Sequence, residues 1–186
     1  MSNAKLRIAG GTARGVPLSE PRGARLRPTS GLVREAVFNI VGDAVQGAAV
    51  LDLFAGTSAL GIEALSRGAR HATFVEAEQA CCQAILASLS RTGFASVGTV
   101  LRGRLPAALS SVSGVFDIIT LDPPYDAREI GGILAGLRAL ASATAVIVYE
   151  HGSRYNPPDR PAGLQLTDRR VYGDSALAFY SVREGQ

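Results

Sequence analysis

Several residue types and patterns that mark common classes of protein are scarce or missing from this chain. No apolar run approaches the roughly 20 residues that a membrane-spanning helix needs, and no signal peptide is recognisable at the start. The two cysteines, Cys81 and Cys82, are adjacent on a predicted helix and point to different faces. This arrangement indicates neither a disulfide nor a metal site. We therefore expect a protein of the reducing cytoplasm that does not associate with a membrane.

The pattern of a metal-dependent or nucleophilic hydrolase is also missing. His71 and His151 are the two histidines of the sequence, and neither has a cysteine or a second histidine nearby. No Ser–His–Asp or Cys–His arrangement is readable at the spacing that known families use. We therefore expect no bound metal.

Charge is unevenly distributed, although the net charge of the 186 residues is only +3. Residues 1–34 hold seven basic groups against one acid, which gives +6 there and leaves −3 for the remainder. Six of the seven are arginine, which is suited to bidentate contacts with phosphate. Such a segment is either a solvated arm or a surface that binds nucleic acid, and charge alone leaves both open. The basic residues are Lys5, Arg7, Arg14, Arg22, Arg25, Arg27 and Arg34.

The first part of the chain predicts a hairpin, a loop and a helix. Residues 5–21 carry apolar positions on both sides of glycines at 10 and 11, which favours a β-hairpin. The prolines in and before residues 19–29 favour an extended loop. Thr29 or Ser30 can then cap a helix that runs to about Val41.

Further along, apolar strands alternate with helices. This alternation predicts an α/β fold with a parallel, doubly wound sheet, to which a final hairpin adds an antiparallel edge. We divide the chain into a basic N-terminal extension, residues 1–29, and one main domain, residues 30–186. The predicted strands cover residues 48–54, 72–75, 97–101, 115–121, 145–149, 164–172 and 176–182, and the predicted helices cover 58–67, 78–89 and 127–140, with a short helix or loop at 104–111.

The motif with the clearest chemical meaning is Asp122-Pro123-Pro124-Tyr125, at the end of a strand apolar enough to be buried on both faces. Two prolines cannot continue a sheet, so Asp122 is left at the carboxyl end of the strand, where open α/β sheets bind ligands. The carboxylate and the Pro123 carbonyl offer two acceptors to an exocyclic amine, and Tyr125 offers a ring to stack on a planar group. Taken alone, the tetrapeptide is also compatible with a proline-rich turn.

A second motif, Asp52–Gly61, joins a predicted strand to a helix. Gly56 allows a ligand to approach the backbone, and the helix that follows presents unpaired N–H groups. The first glycine of G-x-G-x-x-G is missing, so a dinucleotide is a poor fit, whereas Asp52 suits a ligand with a cationic amine.

Glu76 ends the next strand, where a carboxylate can bind both hydroxyls of a ribose, although a solvated acid is the alternative. Together the two motifs favour a nucleoside cofactor.

The D-L-F-A-G turn, Glu76 and D-P-P-Y together resemble class I S-adenosylmethionine-dependent methyltransferases that act on exocyclic amines of bases. Along nearly its whole length the chain is more narrowly similar to the RsmD-type 16S rRNA guanine-N2 methyltransferases, and the N-terminal R-P-T and V-R-E-A-V-F-N stretches narrow the resemblance most. The matching stretches are Arg7–Gly11, Arg27–Thr29, Val33–Asn39, Asp52–Gly61, Glu63–Gly68, Asp122–Tyr125 and Tyr172–Tyr180.

This resemblance implies a Rossmann-like fold with a seven-stranded, mostly parallel sheet, helices on both faces, an antiparallel C-terminal hairpin and an N-terminal β-hairpin extension. It implies S-adenosylmethionine as cofactor and ribosomal RNA or the small ribosomal subunit as partner, and we expect a monomer. The expected cofactor-binding residues are Asp52, Phe54, Gly56, Ser58, Glu76, Gly103 and Asp122. The expected catalytic residues are Asp122, Pro123 and Tyr125, and the expected RNA-binding residues are Arg7, Arg22, Arg25, Arg27 and Arg34.

Two departures from the family pattern affect the expected cofactor site. Ser58 stands where glycine is common in the turn, which stiffens the backbone. Arg102-Gly103-Arg104 replaces the acidic or amide residue that is common near the adenine. Backbone N–H groups are therefore expected to contact the adenine.

Three other functions remain open at this point. An adenine-N6 methyltransferase of DNA or RNA uses the same D-P-P-Y tetrapeptide, although 186 residues leave no room for a separate target-recognition domain. A Rossmann oxidoreductase is disfavoured by the missing G-x-G-x-x-G. A non-catalytic RNA-binding protein with a methyltransferase fold is disfavoured by the intact D-P-P-Y.

Overall fold

The computed structural model of the protein describes residues 6–21, 31–124 and 130–183. The helices in this part of the chain are α1 (Gly31–Val41), α2 (Ala59–Ser66), α3 (Gln79–Thr92) and α4 (Ile130–Leu137), with two short 3-10 helices at Gly42–Val45 and Ala107–Ser111. The strands are β1 (Ala49–Leu53), β2 (His71–Glu76), β3 (Gly98–Arg102), β4 (Phe116–Leu121), β5 (Ala141–Gly152), β6 (Leu164–Tyr172) and β7 (Ser175–Val182).

The seven strands form one mixed sheet in the order β3-β2-β1-β4-β5-β7-β6. Strands β1 to β5 run parallel, and β7 lies antiparallel between β5 and β6. The direction in which the chain adds strands reverses between β1 and β4. In open α/β sheets, a crevice forms at the carboxyl ends of the strands at such a reversal. The prediction of a mostly parallel sheet with an antiparallel C-terminal hairpin is confirmed.

Apolar side chains cover both faces of the sheet. On one face, α1, α2 and α3 contribute residues such as Val37, Ile62 and Ile85. On the other face, α4 packs Ile133 and Leu134 against the apolar residues of β4 and β5. Burial of every residue of β1 explains why its sequence is continuously apolar apart from Asp52.

Strand β5 is longer than its sequence predicts. The expectation covered residues 145–149, whereas the strand runs from Ala141 to Gly152. Its first part pairs irregularly with β4, with a register shift between Phe116 and Ile118, and residues 143 and 144 are exposed. Its last part is held by antiparallel pairing with β7 as far as Ser175. The prediction of this strand rests on a run of buried apolar residues, and neither end of β5 has such a run.

The N-terminal hairpin is narrow. A single antiparallel bridge joins Arg7 to Pro17, supported by hydrogen bonds such as that from the Ile8 N–H to the Val16 carbonyl (3.1 Å). Pro17 has no N–H to donate, which limits further pairing. Residues 22–30, which include the predicted loop and helix cap, lie outside the described residues.

The buried carboxylate of Glu63 on α2 fixes this hairpin to the sheet domain. It accepts hydrogen bonds from the Ala9 N–H (2.8 Å), the Gly10 N–H (2.7 Å) and the Arg67 side chain (2.9 Å). Arg34 of α1 lies 3.7 Å from the second carboxylate oxygen. One side chain with no exposed surface therefore joins the hairpin, α1 and α2.

The end of α2 holds the tip of the hairpin in a second way. The Ser66 carbonyl accepts the Thr12 N–H (2.7 Å), and the Ser66 hydroxyl accepts the Ala13 N–H (2.9 Å) while donating to the Gly10 carbonyl (2.6 Å). Gly11 has a φ of +75°, and a Cβ there would lie 1.9 Å from the Ser66 carbonyl oxygen. Only glycine fits this contact, which explains the G-G pair in the sequence.

The prediction that Arg34 contacts RNA does not fit its position. Its side chain is only 4% exposed, and it donates a hydrogen bond to the Arg7 carbonyl (3.0 Å) beside Glu63. Burial lowers its pKa, and the nearby carboxylate of Glu63 opposes that effect. Arg34 is part of the joint between hairpin and helices.

We predict that Glu63→Ala lowers the free energy of unfolding by about 3–5 kcal/mol, because the change leaves a buried guanidinium and two backbone N–H groups without their acceptor. Glu35→Ala is the matched control, since Glu35 is exposed on α1 and its loss should change stability by less than about 0.5 kcal/mol. Urea denaturation of both variants measures the difference. Equal stabilities would show that the hairpin is held by apolar packing alone.

Candidate active site

A cavity of about 400 Å³ opens at the carboxyl edge of the sheet, beside the reversal between β1 and β4. The turns that follow β1, β2, β3 and β4 all contribute to its wall. The lining residues are Phe54, Gly56, Val75, Glu76, Ala77, Glu78, Gly103, Arg104, Leu105, Asp122, Pro124 and Ile133. Five of the predicted site residues therefore meet in one place: Phe54, Gly56, Glu76, Gly103 and Asp122.

Asp52 lies beneath this cavity and does not line it. Its side chain is 3% exposed, and its two carboxylate oxygens accept the Thr120 hydroxyl (2.7 Å) and the Gly61 N–H (3.0 Å). A Cβ at position 61 would lie 2.2 Å from the Phe74 ring and 2.9 Å from Asp52, so only glycine fits. The carboxylate thereby ties β1 to β4 and to the first turn of α2.

The turn between β1 and α2 is held in a left-handed backbone conformation. Phe54, Gly56 and Ser58 have φ values of 57°, 49° and 59°. Such values cost energy for residues with a side chain, and backbone strain of this kind is concentrated at ligand sites. Ser58 is fully buried outside the cavity wall, and its conformation explains why glycine would be the easier residue at this position.

Glu76 joins the first turn to the second. Its carboxylate accepts the Gly56 N–H and the Glu78 N–H, both at 2.8 Å. The Glu76 carbonyl accepts the Gly103 N–H (2.9 Å), which brings the turn after β3 into the same network. The Gly103 N–H is therefore occupied, although sequence reasoning expected backbone N–H groups near this position to serve the ligand.

The D-P-P motif begins where β4 ends. Asp122 is half-buried beside the cavity, Pro123 is buried and Pro124 is exposed at the rim. The Asp122 N–H lies 3.5 Å from the carbonyl of Leu53, the last residue of β1, so the motif starts beside the carboxyl end of that strand. Tyr125, predicted to stack on the substrate, lies outside the described residues.

Negative charge is concentrated at this edge. Burial raises the pKa of Asp52 to about 7, and the carboxylates of Asp122 and Glu76 push it in the same direction, while the hydrogen bonds from Thr120 and Gly61 oppose the rise. Asp52 is consequently a weaker counter-ion for a cationic amine than its sequence position suggests.

The predicted RNA-binding residues are only partly among the described residues. Arg22, Arg25 and Arg27 lie outside the described residues. Arg7 is exposed on the hairpin, where it donates to the Gly15 carbonyl (2.7 Å). Arg7 contacts Arg34 through its backbone carbonyl, so among the described residues its own side chain is used only in the bond to Gly15.

The described ranges give no sign of a metal site or of a reactive thiol. No group of three or more His, Cys, Asp or Glu there could hold a metal ion. Burial raises the pKa of Cys81 to about 11 and raises that of Cys82 as well, so both thiols stay protonated at neutral pH. In the same ranges, no helix combines the length and apolar character that crossing a bilayer requires.

Sequence reasoning missed Thr120, Glu63 and Ser66. Thr120 stands opposite Asp52 in the β1–β4 pairing, a relation that appears only once the register is known. Glu63 and Ser66 occupy buried positions on α2, and their acidic and hydroxyl groups on an otherwise apolar helix were the available signal.

The strand order and the D-P-P motif at the switch point define a Rossmann-like methyltransferase. A family model described as "Conserved hypothetical protein 95" matches residues 6–181. The chain belongs to this family, the RsmD-type methyltransferases.

Known proteins similar to the chain cover it almost completely. The "Ribosomal RNA small subunit methyltransferase D" of Escherichia coli K12 is 35% identical over 185 residues, which span 98% of this chain and 92% of that protein. The structure of yhhF from Escherichia coli, described as a candidate methyltransferase, has a TM-score of 0.85 at 33% identity and covers 96% of this chain and 98% of its own. The structure of a hypothetical protein from Thermus thermophilus has a TM-score of 0.80 at 31% identity, with 95% of this chain and 99% of its own covered.

The raised pKa of Asp52 predicts a specific pH dependence of stability. The group titrates near pH 4 in the unfolded chain and near 7 in the folded protein, so between these values the folded state binds more protons and stability falls as pH rises. Relative to Asp52→Asn, the wild type should lose roughly 1–4 kcal/mol of unfolding free energy from pH 4 to about pH 8, and little further above it. Urea denaturation at four pH values measures this, and a constant difference would contradict it.

Proposed function

We propose that the protein transfers a methyl group from S-adenosylmethionine to the exocyclic N2 amine of a guanine in 16S ribosomal RNA. The observation that carries this proposal is that Asp122 and Pro124 share one cavity wall with Glu76 and Gly56. Asp122, one of the two acceptors expected for the substrate amine, thus lies beside Glu76, the acceptor expected for a nucleoside. The ribosomal substrate is favoured by the name of the Escherichia coli relative.

The described residues fit S-adenosylmethionine. Each oxygen of the Glu76 carboxylate accepts one backbone N–H, and an ionised carboxylate offers about four acceptor sites, so acceptors remain for both ribose hydroxyls. Phe54, Leu105 and Ile133 give the cavity apolar walls suited to an adenine ring. The surrounding carboxylates favour a ligand that carries positive charge.

The cofactor supplies a methyl group that is already activated by the positive sulfur, so the protein needs chiefly to position the amine. Asp122 and the Pro123 carbonyl accept the two N–H groups of the amine, which draws its lone pair away from the ring. Tyr125 stacks on the extruded base. As the new N–C bond forms, the bond between the methyl carbon and sulfur would break and leave S-adenosylhomocysteine, and the Asp122 carboxylate would accept the proton that the amine releases.

The basic N-terminal segment would hold the RNA backbone. Arg7 is exposed on a hairpin that Glu63 and Ser66 fix rigidly to α2. We assign Arg22, Arg25 and Arg27 to the same role from their sequence positions, and we propose rRNA or the small ribosomal subunit, in the cytoplasm, as the partner. Phosphate contacts of this kind make binding strongly dependent on salt.

Glu76→Ala should weaken binding of S-adenosylhomocysteine by about 1–3 kcal/mol, because the ribose loses a charged acceptor and Gly56 loses its anchor. Isothermal titration calorimetry measures this. Glu35→Ala, a change of the same kind on the exposed side of α1, should leave the affinity unchanged. Unchanged affinity in Glu76→Ala would remove Glu76 from the site.

Asp122→Asn should slow single-turnover methyl transfer by roughly 10²-fold or more, the scale of one lost transition-state contact. Folding and affinity for S-adenosylhomocysteine should stay nearly the same, because asparagine keeps the size of aspartate. Asp43→Asn, at an exposed position in the first 3-10 helix, is the matched control. A normal single-turnover rate in Asp122→Asn would mean that D-P-P-Y is only a turn here.

A further inference from the structure

An ordered, half-exposed aromatic ring follows strand β5. Tyr155 is 42% exposed and is one of the few large apolar side chains on the described surface. Its ring packs edge-on against two buried rings of β5, with centroids 6.4 Å from Tyr149 and 5.7 Å from His151. The buried rings support one side of Tyr155, while 42% of the residue remains exposed to solvent.

The backbone around Tyr155 is fixed by hydrogen bonds. Its N–H donates to the Gly152 carbonyl (3.0 Å), and one guanidinium nitrogen of Arg169 donates to the carbonyls of Ser153 (2.6 Å) and Tyr155 (3.3 Å). Arg169 comes from β6, so the loop after β5 is tied to the neighbouring hairpin. A ring held in this way loses little conformational freedom when a ligand stacks on it.

Tyr155 follows β5, which is the strand next to the one that Asp122 follows. Leu121, the residue before Asp122, pairs with Tyr149 in the β4–β5 register, and Tyr149 contacts the Tyr155 ring. Neighbouring strands are about 4.8 Å apart. The ring thus stands at the same carboxyl edge of the sheet as Asp122, one strand to the side.

The surroundings of Tyr155 carry positive charge. Residues 153–172 contain four arginines and two aspartates, a net charge of +2. Arg154 is exposed directly beside Tyr155, and Arg160 is exposed later in the same loop. An aromatic ring with arginines around it is the combination that binds single-stranded nucleic acid, where bases stack on rings and arginines meet the backbone.

We propose that Tyr155 is a stacking platform for an RNA base that neighbours the methylated nucleotide. Extrusion of the target guanine would unstack its neighbours, and an ordered ring beside the reaction centre would give one of them a new partner. This inference rests on the proposed RNA substrate and adds a contact that is separate from D-P-P-Y and from the N-terminal arginines.

The first test separates substrate binding from chemistry. Tyr155→Ala should raise KM for the RNA substrate by about 5- to 100-fold, with kcat and affinity for S-adenosylhomocysteine nearly unchanged. Tyr155→Phe should behave as wild type, because stacking needs the ring and not the hydroxyl. An unchanged KM in Tyr155→Ala, or equal losses in Tyr155→Phe, would overturn the proposal.

The second test uses the absence of tryptophan from this sequence. Tyr155→Trp introduces a single tryptophan, whose fluorescence should be quenched when an RNA base stacks on it. Val115→Trp is the control, since Val115 is 55% exposed just before β4, at the opposite edge of the sheet. Equal quenching at both positions, or none at position 155, would contradict the stacking.

Crosslinking from position 155 can identify the molecule that contacts this residue. A photoreactive phenylalanine analogue in place of Tyr155 should crosslink to ribosomal RNA in whichever substrate form the wild type methylates. Crosslinks to a ribosomal protein would assign the ring to a protein partner and overturn the proposal. If wild type methylates no RNA, the proposed function fails, and the fluorescence test on an rRNA fragment still decides whether Tyr155 stacks on bases.

Discussion

The arrangement of the site depends most on the two hydrogen bonds that the buried carboxylate of Asp52 accepts. The carboxylate joins β1 to Thr120 of β4 and to the Gly61 N–H at the start of α2, which fixes the two central strands and the first turn of the cavity together. The opposite part of α2 is held by Glu63, which carries the N-terminal hairpin. Helix α2 is thereby attached near its start to the central strands β1 and β4, and through Glu63 and Ser66 to the N-terminal hairpin. Loss of either attachment would let these two parts of the structure move independently.

The grouping of charges that suits a functional site also lowers the stability of the protein. Three carboxylates, Asp52, Glu76 and Asp122, lie close enough for the latter two to raise the pKa of the first. Collecting like charges at a sheet edge costs stability, and perturbed carboxylates of this kind are concentrated at functional sites. A positively charged cofactor would relieve the repulsion, and the left-handed turn at Phe54 and Ser58 stores further strain at the same edge.

Much of the fold and part of the site follow from sequence because parallel strands place their carboxyl ends at one edge. Gly56, Glu76 and Asp122 each follow or end a strand, so their meeting could be predicted without coordinates. The Asp52–Thr120 contact could not, because it depends on strand register. The sequence predicts Arg34 as an RNA contact from its charge, whereas its position on α1 decides its burial. It lies four and seven residues before Phe38 and Val41, so it shares their buried face of the helix. The full length of β5 was missed because its ends are held by pairing and not by an apolar pattern.

We propose that these contacts position a guanine amine of ribosomal RNA for methylation. The most direct measurement combines the purified protein, S-adenosylmethionine with a labelled methyl group, and small-subunit rRNA or subunits from cells that lack this protein. Digestion to nucleosides and mass spectrometry then identify the product. We expect labelled N2-methylguanosine at a single position. Labelled N6-methyladenosine would show that the same site reads a different base, and RNA without label would contradict the assignment of substrate.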